Sequence, residues 1–312
     1  MARPPINDVS DTAYWIAHHR AVESARNDAL FRDPFAGRLA GEHGRKIAAG
    51  MPHSRMIGWS IVMRTCIIDE FVQAAVSAGA DTILNLGAGL DTRPYRMALP
   101  KGLRWIEADY PHIIEYKQAL LTRERAHCQL ERVKIDLANG PDRRKLFSDV
   151  NARANRILVL TEGVIPYLNL QEAALLADDL RATAHICCWL VDYFSPQAMK
   201  FRQRRGMERA MRNAPFRFYP GDWFAFFEQH GWRAAQTRYF VDEGQRRNRP
   251  IPLSWHLTAV LKIWGAIAPT QLDALRKFAG YVLLEPREQL ATRLRSCAPR
   301  TGVPLRSQGR PA

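Results

Sequence analysis

Between residues 81 and 194, short apolar runs alternate with stretches of helical spacing, and this alternation most narrows what the chain can fold into. The runs are DTILNLG (81–87), LRWIEAD (103–109), ERVKIDL (131–137), RILVLTEG (156–163) and HICCWLVDYF (185–194). They are short, largely apolar and bounded by turn residues, the pattern of buried strands. Segments 111–126 and 170–183 between them carry helical periodicity. Strands alternating with helices build βαβ units, so the spacing predicts a parallel sheet covered by helices on both faces.

The flanks read differently. Residues 10–80 are helical in pattern: Ser10 and Asp11 can cap a helix reaching about Asn27, Pro34 can open another, and 54–78 is long and apolar-periodic. Gly79 closes that last helix as a C-cap glycine does. After the fifth run, GDWFAFFEQHGW (221–232) reads as a helix stopped by Gly231. WRAAQTRYF (232–240) and GYVLLEP (280–286) read as a sixth and a seventh strand. Between those two lies an insertion with an amphipathic helix over 251–268.

With 312 residues, 47% hydrophobic and 24% charged, the composition is that of a globular chain and excludes a disordered tail protein or a disulfide miniprotein. The net charge of +14 invites an anionic partner, but it is concentrated in two places. Residues 200–212 hold six basic side chains and one acid, and the stretch from Arg293 holds five arginines and no acid. Solvated basic faces account for this without nucleic acid. The five cysteines form no CxxC pair and no ligand spacing with histidine, so no metal site is expected and the thiols are reduced. No uncharged apolar run reaches the roughly 18 residues of a membrane span, so the expectation is a cytoplasmic protein.

The chemistry starts at NLGAGLDTR (85–93), where the first strand ends. Glycines at 87 and 89 let the backbone turn tightly and approach a ligand without a Cβ in the way. Asp109 ends the second strand, where an acid can hold both hydroxyls of a ribose. A dinucleotide fingerprint needs Gly or Ala at its sixth position, yet Thr92 stands there, beside the negative charge of Asp91. The turn therefore favours a nucleoside ligand without phosphates over NAD, and S-adenosylmethionine is the common one.

NLGAGLDTR, WIEADYP (105–111), the RT pair (64–65) on the preceding helix and TEGVIPYL (161–168) together closely resemble the leucine carboxyl methyltransferase-like family. The opening DTAYWIAHHRAVES with DPFAGRLAG resembles its bacterial polyketide O-methyltransferase branch. The resemblance covers roughly residues 10–240 and implies the seven-stranded class I methyltransferase sheet, mostly parallel, Rossmann-like and with an antiparallel last strand. It implies S-adenosylmethionine as cofactor and the following roles. Arg64, with Arg20, pairs with the methionine carboxylate; Gly87 passes close to the methionine; Asp109 takes the ribose. Asp136 and Leu137 flank the adenine, Glu162 faces the methionine amine, and Tyr167 lines the substrate side. The chemistry agrees, since a guanidinium fork suits a carboxylate and an acid suits an ammonium. The expected organisation is one methyltransferase domain over 1–298, with a helical cap (10–80), a cofactor-binding core (81–240), a helical insertion (241–279) and a last strand (280–286). A basic tail at 299–312 reads as disordered.

The expected function is O-methylation of a carboxylate or hydroxyl on a small hydrophobic acceptor. A carboxylate needs no base, whereas a phenol benefits from one, and His185, His256 and Tyr193 are candidates. The acceptor pocket is expected near Tyr167 and Tyr193, roofed by the N-terminal helices and by Trp255 and Trp264 of the insertion. The alternatives are a nucleic-acid methyltransferase, motivated by the charge, and a catalytically silent S-adenosylmethionine-binding protein. TEGVIPYL in place of an Asn-Pro-Pro-Tyr-type motif argues against base N-methylation.

Overall fold

A computed structural model describes residues 5–202, 205–254, 256 and 269–287. The seven strands are β1 (Thr82–Leu86), β2 (Arg104–Asp109), β3 (Gln129–Lys134), β4 (Ile157–Thr161), β5 (Ile186–Phe194), β6 (Trp232–Tyr239) and β7 (Ala279–Pro286). They form one sheet in the order β3-β2-β1-β4-β5-β7-β6. β1 through β5 are parallel, and β7 runs antiparallel to both β5 and β6. The order reverses beside β1, between β2 and β4, which opens a crevice at the carboxyl edge where open α/β sheets bind ligands.

Side chains alternate between the two faces as strand geometry demands. On one face Leu84, Leu86, Val159 and Val191 pack under α6 (Gly140–Asn151), α7 (Leu170–Arg181) and α10 (Trp223–Gln229). On the other, Ile83, Trp105, Leu158 and Tyr281 pack under α3 (Ser54–Ser77) through Met63, Ile67 and Phe71. Burial on both faces is what selects near-continuous apolar strands.

The helical cap consists of α1 (Asp11–Ser24), α2 (Ala36–Gly50) and α3. Ser10 makes no side-chain cap; Asp8 instead accepts the Ser10 and Asp11 amides, while Asp11 binds Asn7 and His43. β3 starts two residues and ends three residues earlier than the expected 131–137. Among the described residues it is an edge strand paired only with β2, and Asp136 accepts the Ala138 amide in a turn just past it. α5 (Pro111–Leu120) ends short of the expected 126. Within the insertion, α11 (Phe240–Arg246) and α12 (Pro269–Arg276) are described. Trp255, Trp264, most of the amphipathic 251–268 segment and the 299–312 tail lie outside the described residues. Among the described residues, no helix is long and apolar enough to cross a membrane and no His/Cys/Asp/Glu group could hold a metal ion.

Candidate active site

β1 ends in a turn that only glycine accommodates well. Gly87 has φ +64° and Gly89 φ +48°, and a Cβ on Gly87 would stand 2.4 Å from Val164 Cγ2. The Gly87 amide donates to the Ala108 carbonyl at 2.8 Å, stitching the turn to β2. Asp109 closes β2 with Oδ2 accepting the Gly89 amide at 2.6 Å and Oδ1 accepting the Tyr110 amide at 2.7 Å. Burial pushes its carboxyl above the usual aspartate range, against the pull of those two amides. Glu107, one pleat back on the same strand face, is fully buried and taken up by Lys117 Nζ at 2.6 Å and Arg132 Nε at 3.0 Å. It is a structural ion pair and leaves Asp109 alone at the edge.

After the turn comes α4 (Arg93–Arg96), a single helical turn. A phosphate would find no sustained helix N-terminus here, and Asp91 occupies the approach, held by Asn85 Nδ2 at 2.9 Å and the Arg93 amide at 3.0 Å. The structure thus gives a second reason against a pyrophosphate ligand.

Glu162 follows β4 at the same edge and joins two arginines. Arg64 Nε of α3 donates to its Oε1 at 2.6 Å, and Arg93 Nη1 donates to its Oε2 at 2.6 Å. Arg93 continues to Asp69 Oδ1 at 2.7 Å, and Arg96 grips Asp69 with two bonds of 2.7 Å. Although burial opposes it, the attraction of Arg64 and Arg93 holds Glu162 well below the usual carboxylate range. Arg64 is correspondingly pushed up by Glu162 against burial. Arg20 sits below the turn, its Nε on Asp33 at 2.9 Å and its Nη2 on the Leu90 carbonyl at 2.5 Å.

The residues expected at the adenine lie across the crevice. Asp136 is exposed, and Leu137 helps line a cavity of about 150 Å³ with Ala138, Arg143, Val164 and Leu168. Arg143 fixes this corner by donating to the Leu137 carbonyl at 2.7 Å while pairing with Asp179.

A second cavity, of about 300 Å³, opens beyond Glu162 and is lined by Ile165, Phe194, Met199, Phe218 and Trp223 together with Asp192. Tyr193 does not line it. Strand alternation puts its ring on the face of β5 opposite to Asp192, against the cavity-lining Trp223 and against Phe224 and Tyr239. Tyr167 packs below the cap, edge-on to Phe216 at 5.1 Å and beside the cluster of Trp15, Met207 and Met211. His185 lies at the amino end of β5, bonded to Asn151, far along the strand from this edge. Sequence reasoning overlooked Arg93 and Asp192. Asp192 carried a legible signal, a charge set in the otherwise apolar run of β5, whereas Arg93 sits among other polar residues past the end of β1.

A mostly parallel seven-stranded sheet in this order, with a glycine turn after β1 and an acid closing β2, defines a class I methyltransferase. The chain belongs to the leucine carboxyl methyltransferase family, whose sequence profile matches residues 13–181, and it is an S-adenosylmethionine-dependent methyltransferase. It is 29% identical over 77% of its length, and 89% of the other's, to a Frankia alni protein named among the S-adenosyl-L-methionine-dependent methyltransferases. A Mycobacteroides abscessus protein named likewise is 27% identical, covering 78% of this chain and 90% of that protein. A Streptomyces coelicolor protein of the same naming is 39% identical over 40% of this chain and 48% of its own length. Among solved structures, one from Thermobifida fusca named as a methyltransferase superposes with a TM-score of 0.54 at 12% identity, covering 91% of this chain and 96% of that one. That similarity speaks to fold.

Proposed function

We propose that the protein is an O-methyltransferase acting on a small hydrophobic acceptor, with the methyl donor seated between the Gly87–Gly89 turn and the Arg64–Glu162–Arg93 network. The observation that carries this reading is the pairing of two features at one sheet edge. A buried set of charges matched to an amino acid and a ribose stands next to an apolar cavity of about 300 Å³. The donor set fits S-adenosylmethionine, which presents a carboxylate, an ammonium and a ribose diol. Arg64 takes the carboxylate, Glu162 the ammonium and Asp109 the diol. The backbone at Gly87 passes the methionine, Asp136 and Leu137 flank the adenine, and Arg20 steadies the turn through Leu90.

When bound, the cofactor supplies a methyl group activated by a sulfonium. The chain's task is then to hold the acceptor atom in line with that methyl and to keep water away. Ile165, Phe194, Met199, Phe218 and Trp223 provide the apolar wall, which suits an aromatic or polyketide-like acceptor. Tyr167, under the cap, completes the acceptor side.

Titration calorimetry with S-adenosylhomocysteine tests the cofactor site, and heat lost on Asp109→Ala is the expected companion result. Incubation with labelled S-adenosylmethionine and small aromatic acceptors tests the transfer. Label remaining only on donor-derived products, across hydrophobic acids and hydroxyls alike, would overturn the O-methyltransferase reading.

A further inference from the structure

Among the described residues, Asp192 is the one carboxylate lining the larger cavity. It lies on β5 with 5% of its surface exposed and faces the α3 side of the sheet, whereas its neighbour Tyr193 faces the other. Its two oxygens are held from different elements. Oδ2 accepts the Gly163 amide at 2.8 Å, directly after Glu162, and Oδ1 accepts the Tyr281 hydroxyl of β7 at 2.5 Å. Each oxygen keeps a lone pair for a further donor.

We propose that Asp192 is the general base of the reaction and that the accepting group is a neutral hydroxyl, phenolic or enolic, not a carboxylate; this rests on the O-methyltransferase reading above. A carboxylate acceptor would bring a second negative charge into an apolar cavity already holding Asp192, and like charges in a desolvated site repel strongly. A hydroxyl instead donates its hydrogen bond to Asp192 and is oriented by it. In the transfer, the hydroxyl oxygen bonds to the methyl carbon and the carbon–sulfur bond breaks with its electron pair left on sulfur. The hydroxyl proton passes to Asp192 and is released to water before the next turnover.

The surroundings suit this role. Arg64 faces Asp192 from α3, Glu162 and Gly163 from the end of β4, and Tyr281 from β7. Lys200 of α8 (Pro196–Arg202) lines the same cavity from an exposed position, and no ion pair joins it to Asp192 among the described residues. Burial raises the carboxyl above the usual aspartate range, against the pull of Arg64 and the two hydrogen bonds. A more basic carboxylate is a better proton acceptor.

The decisive variant is Asp192→Asn, whose amide oxygen can still accept the Gly163 amide. With S-adenosylhomocysteine present, 4-nitrophenol serves as the probe of protonation, since phenol and phenolate differ in colour. The wild type is expected to bind it as neutral phenol at a pH where the free probe is largely phenolate, and Asp192→Asn to bind more phenolate. Affinity for S-adenosylhomocysteine should stay within about twofold in the variant, while kcat on phenol acceptors falls by about 10²–10⁴. Tyr281→Phe, which removes a bond that lowers the Asp192 pKa, should move the acidic limb of the rate profile to higher pH. Should Asp192→Asn fail to fold, that shift carries the test. The proposal is overturned if the wild type binds no 4-nitrophenol or binds it as phenolate. It is equally overturned if Asp192→Asn loses about tenfold or more in S-adenosylhomocysteine affinity, the mark of a residue that only positions Glu162. Base-labile esters made equally well from benzoates by both proteins, or an unmoved limb in Tyr281→Phe, also overturn it. Wild type that binds no S-adenosylhomocysteine at all refutes the cofactor-site reading instead.

Discussion

Arg93 and Glu162 meet at 2.6 Å although one belongs to the turn after β1 and the other to the turn after β4. Their pairing ties the two loops of the candidate site into one rigid edge, with Arg93 only 2% exposed and further bonded to Asp69 and Asp91.

Removing Arg93 takes a buried cation from three carboxylates, Asp69, Asp91 and Glu162, although Asp69 keeps Arg96 and Glu162 keeps Arg64. Arg93→Met should therefore lower unfolding free energy by about 3–5 kcal/mol, the cost of breaking a buried pair from one side. Urea denaturation measures it. A loss below about 1 kcal/mol would mean water already screens the cluster.

Glu162 carries a pH signature. Its folded pKa is depressed below the ordinary 4.5, so its stabilisation is fully present above that pH and is lost as pH falls further through the folded value. Stability followed by thermal melts in acid should decline in that window. Glu162→Gln should flatten the decline and start from a lower plateau.

His19 behaves oppositely in charge but alike in sign. Burial holds its imidazole neutral with a pKa near 4, down from 6.5, next to His18. The unfolded chain takes up the proton more readily, so stability is full above about pH 6.5 and falls as pH drops toward 4, by about 2–3 kcal/mol after discounting for partial exposure. His19→Leu should erase this slope between pH 4 and 6.5 and leave the more acidic limb of Glu162 in place.

Gly87→Ala meets both a left-handed backbone and the methyl of Val164 at 2.4 Å. A destabilisation of about 2–4 kcal/mol is expected from strain and overpacking together. Val164→Ala in the same chain should restore part of it, which a double-mutant cycle reads directly. Full additivity would show that the contact is relieved by backbone movement.

Asp109→Ala should weaken S-adenosylhomocysteine binding by about 1–3 kcal/mol, the scale of hydrogen bonds to a charged group. Calorimetry of the pair of proteins suffices. Because the Gly89 and Tyr110 amides lose their acceptor, the variant should also lose about 1–3 kcal/mol of fold stability, which urea denaturation reads separately.

The sheet was readable because burial on both faces makes its inner strands apolar, as in ILVLT of β4 and ICCWLVDYF of β5. The bounds of the edge strand β3 fall two to three residues before the expected ones because QLERVK mixes exposed and half-buried positions and has no apolar boundary. The glycine turn, Asp109, Arg64 and Glu162 are brought to one edge; residue types and spacing announced the turn and Asp109, and the family resemblance alone implied Arg64 and Glu162. The Asp192–Tyr281 pairing escaped notice because it depends on β7, which follows both β5 and β6 in sequence, inserting between them. The side on which Tyr193 points was a matter of one-residue parity, and a strand buried on both faces gives no polar alternation to fix it.

The late position of β7 also sets an order of events at the ribosome. Among the described residues β6 pairs only with β7, and β5 has an open edge until β7 arrives. A nascent chain that has emerged as far as Tyr239 therefore holds a five-strand sheet with an unpaired hydrophobic edge and a sixth strand with nowhere to dock. Only when residues 279–286 clear the tunnel does the edge close, and the same event delivers Tyr281 to Asp192. Folding and the completion of the candidate acceptor site thus coincide in time, so a chain interrupted in the insertion exposes a sticky edge and lacks a finished pocket.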